Sequence, residues 1–322
     1  MTKIRAKKIW KNGRLIDWDD ATVHVMSHAL HYGTSWFEGI RCYHTQRGTA
    51  VFRLPEHVQR LFHSCKIYRT EIPFSAQEIS HGIVETIRSN ELRQCYVRPL
   101  VFRGSGSMGV NPLDSPVEVM LMVWEWGRYL GEEALEQGVD VCTSSWMRAA
   151  PNTFPSMAKA GGNYLSGGLI KMEAVTAGFS EGIALDVNGY VSEGSGENIF
   201  FVYQDKIWTP TLGSSVLPGI TRDAVKILLR ERGYTVLEEQ IPREMLYIAE
   251  EMFLCGTAAE VTPIRSVDRI TVGRGRRGPV TQQLQQDFFD YVEGRVDDRH
   301  GWLTPVYTEE AICTPVEQAE GV

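Results

Sequence analysis

The apolar positions of the first third follow a strand-like pattern, give way to a helical one, and then return to strands. Ile9 to Ile16 carries an Asn12-Gly13 turn between two strand-like runs, a hairpin signature. Pro55 then opens a stretch in which Val58, Leu61, Phe62, Cys65 and Ile67 fall near one helical face. A second helix fits Gln77 to Asn90. Tyr96 to Arg103 and Val117 to Trp126 are rich in β-branched and aromatic residues, as strands are.

Trp126 to Gly138 reads as a connector punctuated by glycine. Beyond it, Val139 to Ser145 reads as a strand and Tyr164 to Ala177 as a helix. Ile183 to Glu193 forms a hairpin around Asn188-Gly189, and Ile199 to Trp208 reads as one further strand. Thr221 to Arg232 is helical and closed by Gly233. Met252 to Cys255 and Ile264 to Val272 are short strands, and Thr281 to Val292 is a last helix. The pattern predicts two α/β units, residues 1–125 and 138–322, joined by a connector over 126–137. The strands are too clustered for a simple alternating βαβ fold.

Composition narrows the class. The chain has 322 residues, enough for one large domain or two ordinary ones. With 33 basic and 40 acidic residues it is mildly acidic, and its longest basic cluster, Arg274 to Arg277, is broken by Gly275. Nucleic acid is therefore not an expected partner. The N-terminus lacks the apolar core and cleavage site of a signal peptide, and no segment approaches the ~18 apolar residues of a membrane span. Cys42, Cys65, Cys95, Cys142, Cys255 and Cys313 show no CxxC spacing, which predicts reduced thiols in a cytoplasmic protein rather than a disulfide or zinc framework.

Lys159 stands apart from the other eight lysines, most of which have polar neighbours. It is flanked by Ala158, Ala160, Gly161 and Gly162. Small neighbours let a flat ring approach the backbone, and poor solvation lowers a lysine's pKa toward a working amine. Such a lysine is a candidate for a Schiff base with an aldehyde cofactor, most obviously pyridoxal phosphate. The alternative is a surface lysine in a Gly-rich loop.

Other motifs divide between loops and candidate anion sites. Gly104 to Gly109 and Gly273 to Gly278 both match G-x-G-x-x-G, but they run into Asn111-Pro112 and Pro279 and so read as loops, not dinucleotide sites. His24, His28 and His31 have helical spacing without an acidic residue in the cluster, so they read as hydrogen-bonding histidines, and no metal is expected. Thr221 is a natural N-cap, with Gly219 freeing the backbone before it. Free amides and a hydroxyl at a helix start suit a phosphate, although an ordinary capped helix reads identically. Cys255 to Glu260 is a second Gly-led turn offering amides and the Thr257 hydroxyl. Glu193 ends the Asn188-Gly189 hairpin, where a carboxylate can face a pyridine nitrogen and keep it protonated. Glu197 competes for that role on chemistry alone.

Together, AKAGGNYL, GYVSEGSGENIF, LPGITRD and CGTAAEVTPIRSVD resemble the fold-type IV pyridoxal-phosphate enzymes. HALHYGTSWFEGIRCY and YVRPLVF narrow the resemblance to the branched-chain-amino-acid aminotransferases, from about Trp10 to Trp302. The resemblance implies an α/β protein of the α+β type. It further implies a small N-terminal α/β domain, a larger C-terminal domain with a barrel-like sheet, and pyridoxal 5'-phosphate between them. It also implies a homodimer or larger assembly of dimers acting on branched-chain amino acids, glutamate and their 2-oxo acids.

Residue by residue, the resemblance gives Lys159 the Schiff-base and proton-shuttle role, Tyr164 the cofactor's phenolic oxygen and Glu193 its ring nitrogen. Arg60, Ile220, Thr221 and Thr257 would hold the phosphate. Tyr96, with the amides of Ala258 and Ala259, would bind the α-carboxylate. Arg98 would receive glutamate's second carboxylate, with Tyr32 and Val110 reaching across a dimer interface. Phe37, Trp126 and Tyr129 would wall the side-chain pocket, with Gly39 also at the substrate. The alternation Tyr96-Val97-Arg98 puts Tyr and Arg on one strand face. Trp36, beside Phe37, is expected at the pocket approach.

Overall fold

The computed structural model of the chain describes residues 5–127, 131 and 133–307, whose strands divide between an eight-stranded and a ten-stranded sheet. The first sheet begins with β1 (Lys8–Lys11) and β2 (Arg14–Asp17), the expected hairpin, in which Asn12 and Gly13 take positive φ. Next come α1 (His28–Tyr32), β3 (Ser35–Phe37), β4 (Ile40–Thr45) and β5 (Gly48–Phe52). Two longer helices follow, α2 (Leu54–Ile67) with Pro55 in its first turn and α3 (Ala76–Ser89) with a Ser75–Glu78 capping box. β6 (Cys95–Arg103) and β7 (Val117–Trp124) complete the unit. The β4–β5 hairpin is hard to see in the sequence because nearly every residue of both strands is buried, so no polar face marks the period.

The second unit contains α4 (Ala134–Gln137), β8 (Val139–Thr143), α5 (Tyr164–Thr176), β9 (Glu181–Leu185), β10 (Tyr190–Gly194), β11 (Asn198–Tyr203) and β12 (Lys206–Pro210). It continues through α6 (Ile220–Glu231), β13 (Thr235–Glu239), β14 (Ile241–Pro242), α7 (Met245–Ile248), β15 (Glu251–Gly256), β16 (Glu260–Val267), β17 (Ile270–Thr271) and α8 (Pro279–Val292). Its strands run in the order β13-β12-β11-β15-β16-β8-β9-β10-β14, and β10 packs back near β11 and β12, so the sheet is a nearly closed barrel. A final strand, β18 (Leu303–Pro305), returns to the first sheet beside β5.

Three sequence expectations change. Ile199 to Trp208 is two strands, β11 and β12, turning at Gln204-Asp205 with φ of 50° and 56°. β16 and β17 likewise turn at Asp268-Arg269, with φ of 49° and 66°. Neither turn contains glycine, so neither announces itself in the sequence. Pro279 opens α8 rather than ending a loop, but the loop before it is no phosphate site. Glu251 already occupies the helix start, accepting from the Val280 and Thr281 amides at 3.0 and 2.8 Å.

Separate cores support the two units. α2 and α3 press Val58, Leu61, Ile79 and Ile83 onto β1, β4, β6 and β7, with Trp36 from β3 fully enclosed. Inside the barrel, Ile183, Ile199, Phe201 and Leu254 converge. A third cluster joins the units, packing Phe200 and Phe253 of the barrel with α6, α8 and Phe52 of the first sheet. Phe200 and Phe253 stack at 5.1 Å, and full burial of each contributes about 2–3 kcal/mol.

Candidate active site

Between the two sheets lies a cavity of about 760 Å³. Arg60 of α2 and Phe37, Gly39, Tyr96 and Arg98 of the first sheet line one side. Glu193, Thr257, Ala258 and the start of α6 line the other, and Lys159 and Tyr164 lie on the segment entering α5.

The Lys159 segment is held from both ends. The Lys159 amide donates to Ser64 Oγ at 2.9 Å, and its carbonyl accepts from the Phe37 amide at 3.1 Å. Asn163 closes the loop by donating to the Pro155 and Ala158 carbonyls. The neighbouring glycine serves protein packing: a Cβ on Gly161 would sit 2.3 Å from Ser35 Oγ, so Gly161 lets β3 approach. Burial pushes the Lys159 pKa down to about 8, and the Arg60 guanidinium adds to the effect. Its ammonium contacts the Tyr164 hydroxyl, whose own pKa burial raises well above the usual range, with Glu193's charge adding to the shift.

One end of the cavity is rich in donors. Arg60 donates through Nε and Nη2 to Glu38 at 2.7 and 2.8 Å, and through Nη1 to the Pro218 carbonyl at 3.0 Å. His57 Nδ1 meets the same carboxylate at 2.7 Å. Burial works to raise the Glu38 pKa, but Arg60, aided by His57, holds it far below the usual carboxylate range. This leaves Arg60 N–H donors for the cavity. Opposite, α6 begins at Ile220 with Gly219 as its N-cap, not Thr221 as the sequence suggested. Asn198 Oδ1 occupies the space a Cβ on residue 219 would need, at 2.0 Å, so only glycine fits there. No side chain caps α6, which leaves its first amides open where Ile220 and Thr221 line the cavity. Thr257 lies on the same cavity wall.

Two carboxylates lie across the cavity. Glu193 is buried; its Oε2 accepts from Asn198 Nδ2 at 3.0 Å and the Leu217 amide at 3.1 Å, and its Oε1 faces Arg148 at 3.3 Å. Burial raises its pKa, and Arg148 pulls it back. Glu197 accepts from the Gly196 amide, and burial with the neighbouring Glu181 pushes it up to about 8. Arg148 and the Leu217 amide thus work against the upward push of burial at Glu193, whereas at Glu197 the neighbouring Glu181 adds to that push.

Tyr96 and Arg98 project into the cavity from one face of β6, as the alternation predicts. Gly39 makes room for the Tyr96 hydroxyl, which would lie 1.9 Å from a Cβ there. Arg98 donates to that hydroxyl at 3.2 Å and lies 4.6 Å over the Phe37 ring. Its Nε is buried without a partner, and among the described residues no carboxylate pairs with it. Trp126 packs edge-on against Tyr96.

Not every expected residue gathers here. Tyr32 and Val110 are exposed and line no part of this cavity, and Ala259 lies just behind the lining. Tyr129 lies outside the described residues. Trp36 is no pocket residue. On β3 its neighbour Phe37 faces the cavity, so Trp36 alternates into the core and packs against Tyr68. His28 bonds Thr34 Oγ1 and the Gly109 carbonyl, a structural role. Glu38, Arg148 and Asn198 went unremarked in the sequence. A carboxylate between Phe37 and Gly39, in an otherwise apolar run, was the available signal.

Residues 35–267 match the family described as amino-transferase class IV, and the chain belongs to that family. Its relatives within the family are more specific. The branched-chain-amino-acid aminotransferase of Salmonella typhimurium is 55% identical over 307 residues, covering 95% of this chain and 99% of its own. The solved Escherichia coli branched-chain amino acid aminotransferase superposes with a TM-score of 0.93 at 55% identity, covering 94% of this chain and all (100%) of that one. A further solved branched-chain amino acid aminotransferase, from T.th. and complexed with N-(5'-phosphopyridoxyl)-L-glutamate, superposes at 0.90 and 47% identity, covering 95% and 100%.

Proposed function

We propose that this cavity transfers amino groups between L-leucine, L-isoleucine or L-valine and 2-oxoglutarate, with pyridoxal 5'-phosphate as cofactor. One observation carries the reading: Lys159 and Tyr164 meet between an anion-suited end and a buried carboxylate. The residues present fit the cofactor. Arg60, the open amides of α6, Thr221 and Thr257 would hold its phosphate, Glu193 its ring nitrogen and Tyr164 its phenolic oxygen. Bound there, pyridoxal phosphate supplies an aldehyde that amines condense with and a ring that withdraws electrons from the substrate's Cα.

The chain's own residues do the rest. The Lys159 amine, with its lowered pKa, takes the proton from the substrate's Cα and returns it during the reverse half-reaction. Tyr96 and the Ala258 and Ala259 amides would bind the α-carboxylate. Phe37 and Trp126 would enclose an apolar side chain. Arg98 accommodates both substrates, since it rests on aromatic faces when the side chain is apolar and pairs with glutamate's second carboxylate when it is anionic.

A homodimer is part of the same reading. Tyr32 and Val110 lie among exposed Val25, Leu30, Met108 and Leu113, an apolar surface suited to a second copy whose cavity they would reach. A cytoplasmic setting suits the five free, buried cysteines among the described residues.

The test is a panel of amino donors on the cofactor-loaded protein. L-leucine should bleach the yellow absorbance and yield 4-methyl-2-oxopentanoate, and 2-oxoglutarate should restore the colour. Preference for D-leucine or an (R)-amine would assign a sibling activity instead.

A further inference from the structure

We propose that Arg41 is a positioning residue that aims the Ala258 and Ala259 amides at the substrate's α-carboxylate. The proposal rests on the transaminase reading above, which places the carboxylate at those amides. Arg41 is buried, at 2% exposure, on β4 directly opposite Tyr96 of β6, and it does not line the cavity. Its guanidinium is spent on backbone carbonyls. Nε donates to Thr257 O at 3.2 Å and Nη2 to Ala258 O at 3.3 Å. Nη1 reaches Trp126 O at 3.2 Å, and Nη2 also reaches Gly127 O at 3.1 Å.

The consequence follows from peptide geometry. In a trans peptide the C=O and the following N–H point in opposite directions. The Thr257 carbonyl shares its plane with the Ala258 amide, and the Ala258 carbonyl shares its plane with the Ala259 amide. No peptide of the described chain is cis. Fixing both carbonyls on Arg41 therefore turns both amides the other way, on the loop where Thr257 and Ala258 line the cavity. Among the described residues neither amide has a protein acceptor. Two neighbouring backbone donors without protein partners, one on half-buried Ala258 of the cavity lining and one on buried Ala259, are a site for an acceptor from outside.

Arg41 does two further things. Its charge behind the peptides polarises them and strengthens the donors on the far side. Its bonds to Trp126 and Gly127 tie the same loop to the wall that packs on Tyr96. One guanidinium thus sets the spacing between Tyr96 and the two amides. Lysine, a point donor with three N–H bonds, cannot hold all four carbonyls.

The experiment compares cofactor-loaded wild type, Arg41→Met and Arg41→Lys with two ligands that differ in the carboxylate. 4-Methylpentanoate has leucine's skeleton without its amino group, and 3-methylbutylamine has it without the carboxylate. Arg41→Met should weaken 4-methylpentanoate and raise KM for leucine and glutamate alike by roughly 10- to 100-fold, with kcat falling less. Its single-turnover rate with 3-methylbutylamine should stay within about threefold of wild type. Arg41→Lys should recover part of the carboxylate affinity. Equal losses for amine and carboxylate ligands would overturn the positioning role and leave Arg41 merely structural. A wild type that binds 4-methylpentanoate no better than the uncharged 4-methylpentan-1-ol would instead overturn the carboxylate-site reading itself.

Discussion

Glu38 and Arg60 form a buried, forked ion pair, with Nε–Oε1 at 2.7 Å and Nη2–Oε2 at 2.8 Å. The pair fixes the Arg60 guanidinium where it can meet an anion, since an arginine free to rotate would lose that direction. Removing one partner leaves the other charge buried and alone, which costs about 3–5 kcal/mol. Glu38→Gln should therefore unfold at lower urea than wild type at pH 7. The Glu38 pKa is depressed in the folded state, so its contribution is present above the ordinary value of about 4.3 and is lost as pH falls below it. The gap between variant and wild type should narrow below about pH 4. A gap constant from pH 7 to pH 3.5 would contradict the assignment.

Lys159 should be reactive at unusually low pH. Labelling of the cofactor-free protein with an amine reagent should rise with a midpoint near pH 8, because burial and Arg60 push the Lys159 pKa to about 8. Arg60→Met removes one of those two causes and should move the midpoint upward. A wild-type midpoint near that of an ordinary lysine, about 10.4, would contradict the account.

Glu193→Gln should lose far more activity than Glu197→Gln. Glu193 is held by Arg148, Asn198 and the Leu217 amide, and glutamine there removes the carboxylate that would keep a pyridine nitrogen protonated. Glu197, pushed up to about 8, favours its protonated form near neutral pH, and glutamine is close to that form in shape. If Glu197→Gln proves the more damaged in kcat, the two roles must be exchanged.

Arg98→Leu should damage the glutamate and 2-oxoglutarate half-reactions selectively. A lost charge-assisted hydrogen bond to a carboxylate costs about 2–3 kcal/mol, roughly 30- to 150-fold. Leucine makes no ionic contact there and should change much less. Equal losses for leucine and glutamate in single turnovers would place Arg98 at the shared α-carboxylate.

Local chemistry made part of this protein legible in its sequence. The Asn12-Gly13 turn, the Pro55 helix and the alternation of Tyr96 and Arg98 each follow from a few adjacent residues. Lys159 stood out because its neighbours are small, although Gly161 proved to serve the approach of Ser35. What stayed hidden depends on partners distant along the chain. Glu38 acquires its meaning from Arg60 and His57, Arg148 from Glu193, and Arg41 from carbonyls more than two hundred positions away (216 and 217). The turns at Gln204-Asp205 and Asp268-Arg269 escaped because their left-handed residues are not glycine. Trp36 was misplaced because β3 spans only Ser35–Phe37, too short for its alternation to be read.

The most direct measurement is a single turnover of cofactor-loaded wild type and Lys159→Ala with L-leucine. Wild type should release one 4-methyl-2-oxopentanoate per active site and lose its yellow absorbance. Lys159→Ala should still retain the cofactor, because Arg60, Thr221 and Thr257 lie on other segments, yet release no oxo acid on the same timescale. Oxo-acid release by Lys159→Ala at a near-normal rate would contradict the account.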